Sequence, residues 1–573
     1  MSRSSFPFLA ALLLVVACST AAIVSTYSRL SQTWDEGIHV SAGLEYLQDG
    51  RYTIQTENPP LARVVLALWP FVHGARVQPP DSPTFLESLL DGPFYRTPDY
   101  RGNLTEGRVG NLLFFWACVA LTWILAGGRS DPWVALFAAA AVATLPALVG
   151  HSGVATTDVG FVASALLSLV ALRRLLTRPS IASAALAGAA VGIAVATKFS
   201  TLVFLPPAVV AIVAVHEWDR RRAWLRSLVR VSFWRLLATA SLATVLVIWA
   251  AYGFRVGRLS DLPQAFVPFG TMPTTGWPAL VKDWRLPAHE LIHGLLYLEA
   301  HTIVGQGVRL LGQINRRGLW QFYPVMLATK TPMPFLIFAI AGIAGLIRYR
   351  GSPRWPWAAG LALGALSILL VAMTSPINLG VRHVLVIYPL VAIAAAFGIV
   401  RLAEHTSRRV VVLAAGAACL VVQLGLLAWS APYQIMYFNT FAGSDPAFVA
   451  SDSDFDWGQH GFALEDYFRA HPVPELYVRL GGTTRVCRLA LPPVKALPDH
   501  PVSGWIAIND GPIRWNGAST VHANPCDNIA TQGPTFRVKA GSLDWLKRYE
   551  PVAIIGKTVR LYHVPDVAPE RAP

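Results

Sequence analysis

The 573-residue chain is 54% apolar and only 14% charged, with a formal charge of +14, a pI near 9.8 and a mean hydropathy of +0.46. Soluble domains carry about a quarter charged residues, whereas here the apolar residues cluster in blocks of about 17 to 22, the length that crosses a hydrocarbon core of ~30 Å. Nucleic acid is excluded as a partner, because the basic residues sit at the ends of apolar blocks and form no stripe interleaved with exposed aromatics. The composition implies a polytopic α-helical membrane protein, and its 19 Trp suit interfacial belts and a sugar-facing site.

In chain order, the first apolar run, Phe8 to Val24, is long for a signal-peptide core and reads as an uncleaved span. About eleven spans are expected, near 7–29, 108–126, 131–150, 157–176, 180–197, 199–216, 236–254, 331–347, 356–373, 384–400 and 410–429. Segment 61–74 is too short and too broken by proline to count. Alternate connections carry Arg129; Arg173, Arg174 and Arg178; Arg220, Arg221, Arg222, Arg226, Arg230 and Arg235; Arg348, Arg350 and Arg354; and Arg401, Arg408 and Arg409. The positive-inside bias makes these cytoplasmic and puts the N-terminus inside. Segments 30–107, 255–330 and 430–573 then lie outside.

The chain divides into a transmembrane part, 1–430, and a small extracytoplasmic α/β domain, 431–573. Strand-like stretches in the latter are Glu475–Leu480, Trp505–Ile508 and Val552–Tyr562, separated by Gly, Pro and Asn turns. Cys487 and Cys526 are the only cysteines outside the spans; a disulfide and two unpaired thiols are both open.

Ionisable residues gather at the outer face, where charge is costly and marks function. Asp35-Glu36-Gly37-Ile38-His39 follows the first span. Asp35 has two readings: an N-cap of a helix over Glu36–Leu47, or a general base. On the same face lie Glu57-Asn58-Pro59-Pro60, His151 and Asp158, Lys198, Lys330, and Arg382-His383. A lone Lys or Arg at such a place is a snorkelling anchor. Carboxylates and three cations on one leaflet instead make a site suited to a lipid-linked phosphate. A sugar leaving from phosphate needs little acid catalysis; it needs cations against the developing charge and a carboxylate to deprotonate the acceptor. Asp452-Ser453-Asp454-Phe455-Asp456-Trp457-Gly458-Gln459 resembles part of a calcium loop but lacks the twelfth-position Glu, and reads as an acidic turn before a helix over Phe462–Arg469.

These motifs resemble the GT-C fold glycosyltransferases, specifically the bacterial members of the protein O-mannosyltransferase and aminoarabinose-transferase group. The resemblance is carried by Asp35-Glu36, Glu57-Asn58-Pro59-Pro60-Leu61, His151…Thr157-Asp158, Ala196-Thr197-Lys198, Phe322-Tyr323-Pro324…Lys330-Thr331-Pro332, Arg382-His383…Tyr388-Pro389 and the Asp452–Gln459 run. It implies a GT-C-like fold and a membrane glycosyltransferase in a bacterial inner membrane. That enzyme would move a sugar from a polyprenyl-phosphate carrier to a protein, lipid or glycan acceptor by inverting displacement. It implies Asp35 as catalytic base or as the residue that positions the acceptor for attack, Asp158 as a second acidic site residue that binds acceptor, sugar or metal, and Lys198, Lys330 and Arg382 on the carrier phosphate. Glu36 and His39 would orient Asp35, with Glu57, His151 and His383 completing the substrate-binding set. A divalent cation (Mg or Mn) is left open, since some GT-C enzymes use one and others do not. The alternative function is a lipid-linked sugar flippase or transporter, against which stands the gathering of charge at the outer ends rather than the midplane.

Overall fold

The computed structural model describes residues 6–78, 93–218, 231–266, 270–451, 453–517, 519–523, 525–526 and 535–565. Asp452 and the basic residues Arg220, Arg221, Arg222, Arg226 and Arg230 lie outside the described residues. Among the described residues, seven helices are long and apolar enough to cross a membrane, or nine if each of two bent pairs counts as one span. Ile181–Thr197 and Ser200–His216, at 17 residues each, fall just under that length. The chain is a polytopic helical membrane protein.

The expected span 131–150 is broken, and the one expected at 331–347 follows a sharp bend. Pro132–Ala143 and Pro146–Ser152 meet at 60°, and Phe322–Lys330 and Met333–Arg348 at 109°. Proline removes an amide donor and disfavours helical backbone in the residue before it; Pro146 and Pro332 stand at the two breaks. Lys330 therefore ends the helix that precedes the span expected at 331–347. The expected span at 108–126 starts earlier, at Tyr100. Its first turns carry Arg101, Glu106 and Arg108, which hydropathy alone cannot assign to a helix.

Small residues bring the helices together. Ala187, Gly188, Gly192 and their neighbours in Ile181–Thr197 let Val231–Ala251 approach until a Cβ on Gly188 would strike the Ala240 backbone. Segment 61–74 does form a helix, Pro60–Val72, but one of 13 residues, packed on Glu36–Asp49. At Gly43 a side chain would collide with the Arg63 carbonyl, so this pair of outer helices closes backbone to backbone.

The two ends of the bundle are chemically distinct. At one end Asp131 accepts from Arg354 at 2.7 Å and from Arg401 at 3.1 Å, tying three connections of the basic set together. At the other end are Asp35, Asp158, Lys198 and Arg382.

Beyond Arg409–Ser430 the chain forms a five-stranded mixed sheet. Its strands are β1 (Leu476–Arg479), β2 (Val494–Ala496), β3 (Gly504–Asn509), β4 (Ala553–Ile555) and β5 (Val559–Val564), in the order β4-β5-β3-β1-β2. β1 pairs in parallel with β2 and β3, and β5 antiparallel with β3 and β4. The stretch Val552–Tyr562 is thus a hairpin, turned at Gly556 and Lys557, which both adopt positive φ. Helix Gly461–Ala470 covers one face through Leu464 and Phe468, while Leu543 and Leu546 cover the other. A disulfide joins Cys487 to Cys526.

Candidate active site at the helix ends

Asp35 precedes the Glu36–Asp49 helix but makes no side-chain cap hydrogen bond. Its carboxylate instead accepts from Arg382 Nη1 at 2.8 Å and is the more open member of the pair, at 24% side-chain exposure. The same Nη1 lies 3.6 Å from Asp158 Oδ2. Asp158, at the first turn of Asp158–Thr177 and 1% exposed, takes Lys198 on its other oxygen. Lys198 is the residue immediately after the Ile181–Thr197 helix, so its acidic partner comes from the neighbouring helix. Two carboxylates and two cations from four chain segments thus form one continuous cluster.

Glu36 is built differently from its neighbour. It is fully buried. It accepts from Arg108 Nε at 2.7 Å, Arg108 Nη2 at 2.8 Å, the Thr33 amide at 2.8 Å and the Ala155 amide at 2.8 Å. Those bonds occupy both oxygens and leave no lone pair for a substrate proton. Arg108, equally buried, also donates to the carbonyls of Leu30 and Ser31. The pair pins the chain on both sides of Asp35.

His39 lies one turn after Asp35 and accepts at Nδ1 from Arg63 Nε at 3.0 Å. Burial, with the Arg63 guanidinium next, holds the His39 pKa well below the usual imidazole value, so the ring is neutral. Arg63 is itself fully buried, and spends its other donors on the Ile54 and Gln55 carbonyls, the Tyr52 hydroxyl and the Gln55 side chain. It fastens the corner that carries Glu57, whose carboxylate faces His301 Nδ1 at 3.6 Å rather than the Asp35 cluster. Burial and then the Lys198 charge keep His383 neutral beside the cluster.

Lys330 and His151 belong to a second, adjoining group. Lys330 donates to the carbonyls of Ile435 and Asp454, and its ammonium lies 4.3 Å from the Phe438 ring centroid. His151 Nε2 is 3.9 Å from Asp454 Oδ1. Burial raises the Asp454 pKa, but Lys330 and then His151 outweigh it, and the carboxyl rests below its ordinary value. Asp454 Oδ2 also accepts the Val381 amide at 2.6 Å, one residue from Arg382. Gly380 permits this approach, since a Cβ there would lie 2.7 Å from that oxygen. Lys330 therefore holds the acidic strap in place rather than joining Lys198 and Arg382.

The strap over Ser453–His460 faces the site, and its decisive residue is Trp457. Its ring packs against the Arg382 guanidinium at 4.4 Å. Backbone bonds from Trp34 to the Trp457 carbonyl, at 3.2 Å, and from Ser31 to the Gln459 carbonyl, at 2.9 Å, fix the strap against the segment that carries Asp35. Asp456 points the other way, accepting from Asn509 Nδ2 at 2.7 Å and the Gly511 amide at 3.2 Å. Sequence reasoning passed over Trp457, Arg63 and Arg108. The signal for the two arginines was an ionisable residue inside a short helix and at the edge of an apolar block.

Asp35 and Asp158 both turn an oxygen to Arg382, and among the described residues no three His, Cys, Asp or Glu side chains converge to hold a metal. His289-Glu290-Leu291-Ile292-His293 has the spacing of a zinc-peptidase helix, yet His293 spends Nδ1 on Thr56 at 2.7 Å and Nε2 on the Pro263 carbonyl at 2.9 Å. Glu290 in that run faces Arg255 at 3.3 Å and His289 at 3.1 Å.

Residues 101–252 match the family model described as dolichyl-phosphate-mannose-protein mannosyltransferase. No curated protein matches the chain by sequence. Among solved structures it is similar to ArnT from Cupriavidus metallidurans bound to undecaprenyl phosphate, at 13% identity and a TM-score of 0.46, over 98% of this chain and 99% of that one. It is also similar to the oligosaccharyltransferase AglB from Archaeoglobus fulgidus in complex with an inhibitory peptide and a dolichol-phosphate, at 13% identity and a TM-score of 0.44, over 97% of this chain and 76% of that one. The chain is a multi-pass membrane protein that carries the pattern of the dolichyl-phosphate-mannose-protein mannosyltransferase family model over residues 101–252.

Proposed function

We propose that this chain is a membrane glycosyltransferase that moves a sugar from a polyprenyl-phosphate carrier to an acceptor at the outer face of a bacterial inner membrane. The observation that carries the reading is the cluster Asp35–Arg382–Asp158–Lys198, in which a half-open carboxylate stands beside two cations held at helix ends. Arg382 and Lys198 take the carrier phosphate, with Asp158 orienting both. The acceptor hydroxyl or amine attacks the anomeric carbon on the face opposite the phosphate. The sugar–phosphate bond breaks, the electron pair leaves with the carrier phosphate, and Asp35 takes the acceptor's proton. Inversion follows from the single displacement. Cations that meet charge as it develops on the leaving oxygens lower the barrier most in a site shielded from water. Glu36 and Arg108 position Asp35, His39 and His383 offer neutral imidazoles to the sugar or phosphate, and Lys330, His151 and Asp454 hold the strap.

Two observations support the orientation. The connections rich in arginine meet at Asp131, at the end of the bundle away from the site. The Cys487–Cys526 disulfide suits an oxidising compartment and supports an extracytoplasmic sheet over 431–573.

The test uses purified protein in detergent, with a panel of short-chain polyprenyl-phosphate sugars and release of free polyprenyl phosphate as readout. Detergent leaves no second compartment, so a transporter returns the donor intact. Carrier release that depends on an added acceptor is expected. A donor that is bound but never cleaved with any acceptor class in the panel would overturn the reading in favour of transport.

A further inference from the structure

The base assigned above is not free in this structure. Asp35 has Arg382 as its hydrogen-bond partner at 2.8 Å, and no cap bond holds it elsewhere. The guanidinium occupies the Oδ2 of Asp35, an oxygen that an acceptor proton would otherwise reach. The same guanidinium is one of the two groups suited to the donor phosphate, and its Nη1 is already shared with Asp158 at 3.6 Å. The two carboxylates are not equally able to yield. Asp158 is 1% exposed and is also held by Lys198, whereas Asp35 is 24% exposed. The guanidinium is itself fixed, by its Nε bond to the Leu379 carbonyl at 3.0 Å and by the Trp457 ring at 4.4 Å. An incoming phosphate therefore meets a fixed cation, and of its two carboxylate partners Asp35 is the more exposed.

We propose that the Asp35–Arg382 ion pair is a latch in which Asp35 and the donor phosphate compete for one guanidinium, with Trp457 as the positioning residue that keeps Arg382 in place for the exchange. This rests on the glycosyltransferase reading and deepens it. Phosphate binding to Arg382 releases Asp35, so the base becomes active only once a donor is seated. Without donor, the Oδ2 of Asp35 is engaged by the guanidinium. Donor binding precedes acceptor activation, and the order is compulsory.

The experiment measures equilibrium binding of a sugar-free polyprenyl phosphate to the full chain in detergent, a ligand on which no turnover can occur. Removing the internal competitor must tighten binding: Asp35→Asn and, as a second variant, Asp35→Ser are each expected to bind roughly tenfold more tightly than wild type, the equivalent of about 1.4 kcal/mol. In an Arg382→Gln background the same Asp35→Asn change is expected to make no difference, since the contested cation is gone. Trp457→Leu is expected to weaken binding and to shrink the Asp35→Asn gain. Equal affinities for wild type and both Asp35 variants would overturn the latch while leaving the glycosyltransferase reading intact. A gain that persists in Arg382→Gln would also overturn it, because the effect would then be bulk charge. Failure of wild type and all variants to bind polyprenyl phosphate would overturn the function itself.

Discussion

Asp35 and Glu36 are adjacent carboxylates with opposite surroundings, and they separate under mutation. Glu36 and Arg108 are both fully buried and bonded to each other through two contacts. Removing one charge of such a pair strands the other in a low-dielectric interior. Glu36→Gln is expected to lower stability by about 3–5 kcal/mol, read as a drop in the thermal midpoint in detergent. Asp35→Asn, at a partly exposed position, is expected to leave the midpoint nearly unchanged while lowering transfer on the order of 10²–10⁴-fold, the usual worth of a general base. Lys198→Met is expected to raise KM for the donor by roughly 10- to 100-fold, since a hydrogen bond to a charged group contributes about 1.5–3 kcal/mol. The residue types of this site were legible in the sequence, as were most of their positions. The division of labour was not. Arg108 and Arg382 lie 72 and 347 residues from the carboxylates they bind, and nothing local reveals which acid each takes.

Elements were legible where apolar length alone defines them, and less so where proline or polar residues intervene. The first bent pair read as the single span 131–150 because its composition is continuous, and the second as a polar segment followed by the span 331–347; the two breaks bring His151 and Lys330 to the end of the bundle that carries Asp35. The hairpin Ala553–Val564 read as one strand because its turn is only a Gly-Lys-Thr triplet. The strap before Gly461–Ala470 has a testable electrostatic signature. Burial pushes the Asp456 carboxyl up to about 6, above the ordinary value near 3.9. Between about pH 4 and 6 the folded protein thus retains a proton that the unfolded chain releases. Its contribution to stability is present at the acid end of that window and is lost as pH rises through it. The thermal midpoint measured across this range is expected to carry a falling component that Asp456→Asn removes. An unchanged pH profile in that variant would contradict the assignment.

Across the whole molecule, charge is sorted to the two ends of a helical bundle, and the positive-inside rule converts that sorting into an orientation. The Cys487–Cys526 bridge gives an independent handle. In intact spheroplasts, a membrane-impermeant maleimide is expected to label these cysteines only after reduction with an impermeant phosphine. Labelling without reduction would contradict the disulfide, and no labelling after it would contradict an extracytoplasmic sheet. The strap packs against the helix ends that carry the Asp35 cluster, joining a distant part of the chain to the Asp35 segment through Trp34 and Ser31. That closure was only faintly legible, as an acidic run facing the site, because the contacts that make it are backbone bonds. The most direct measurement is carrier-dependent sugar transfer by purified wild type and Asp35→Asn with one cleaved donor. The account predicts transfer with inverted anomeric configuration in wild type and its near-complete loss in the variant, with donor binding retained. Transfer at wild-type rate in Asp35→Asn would contradict it.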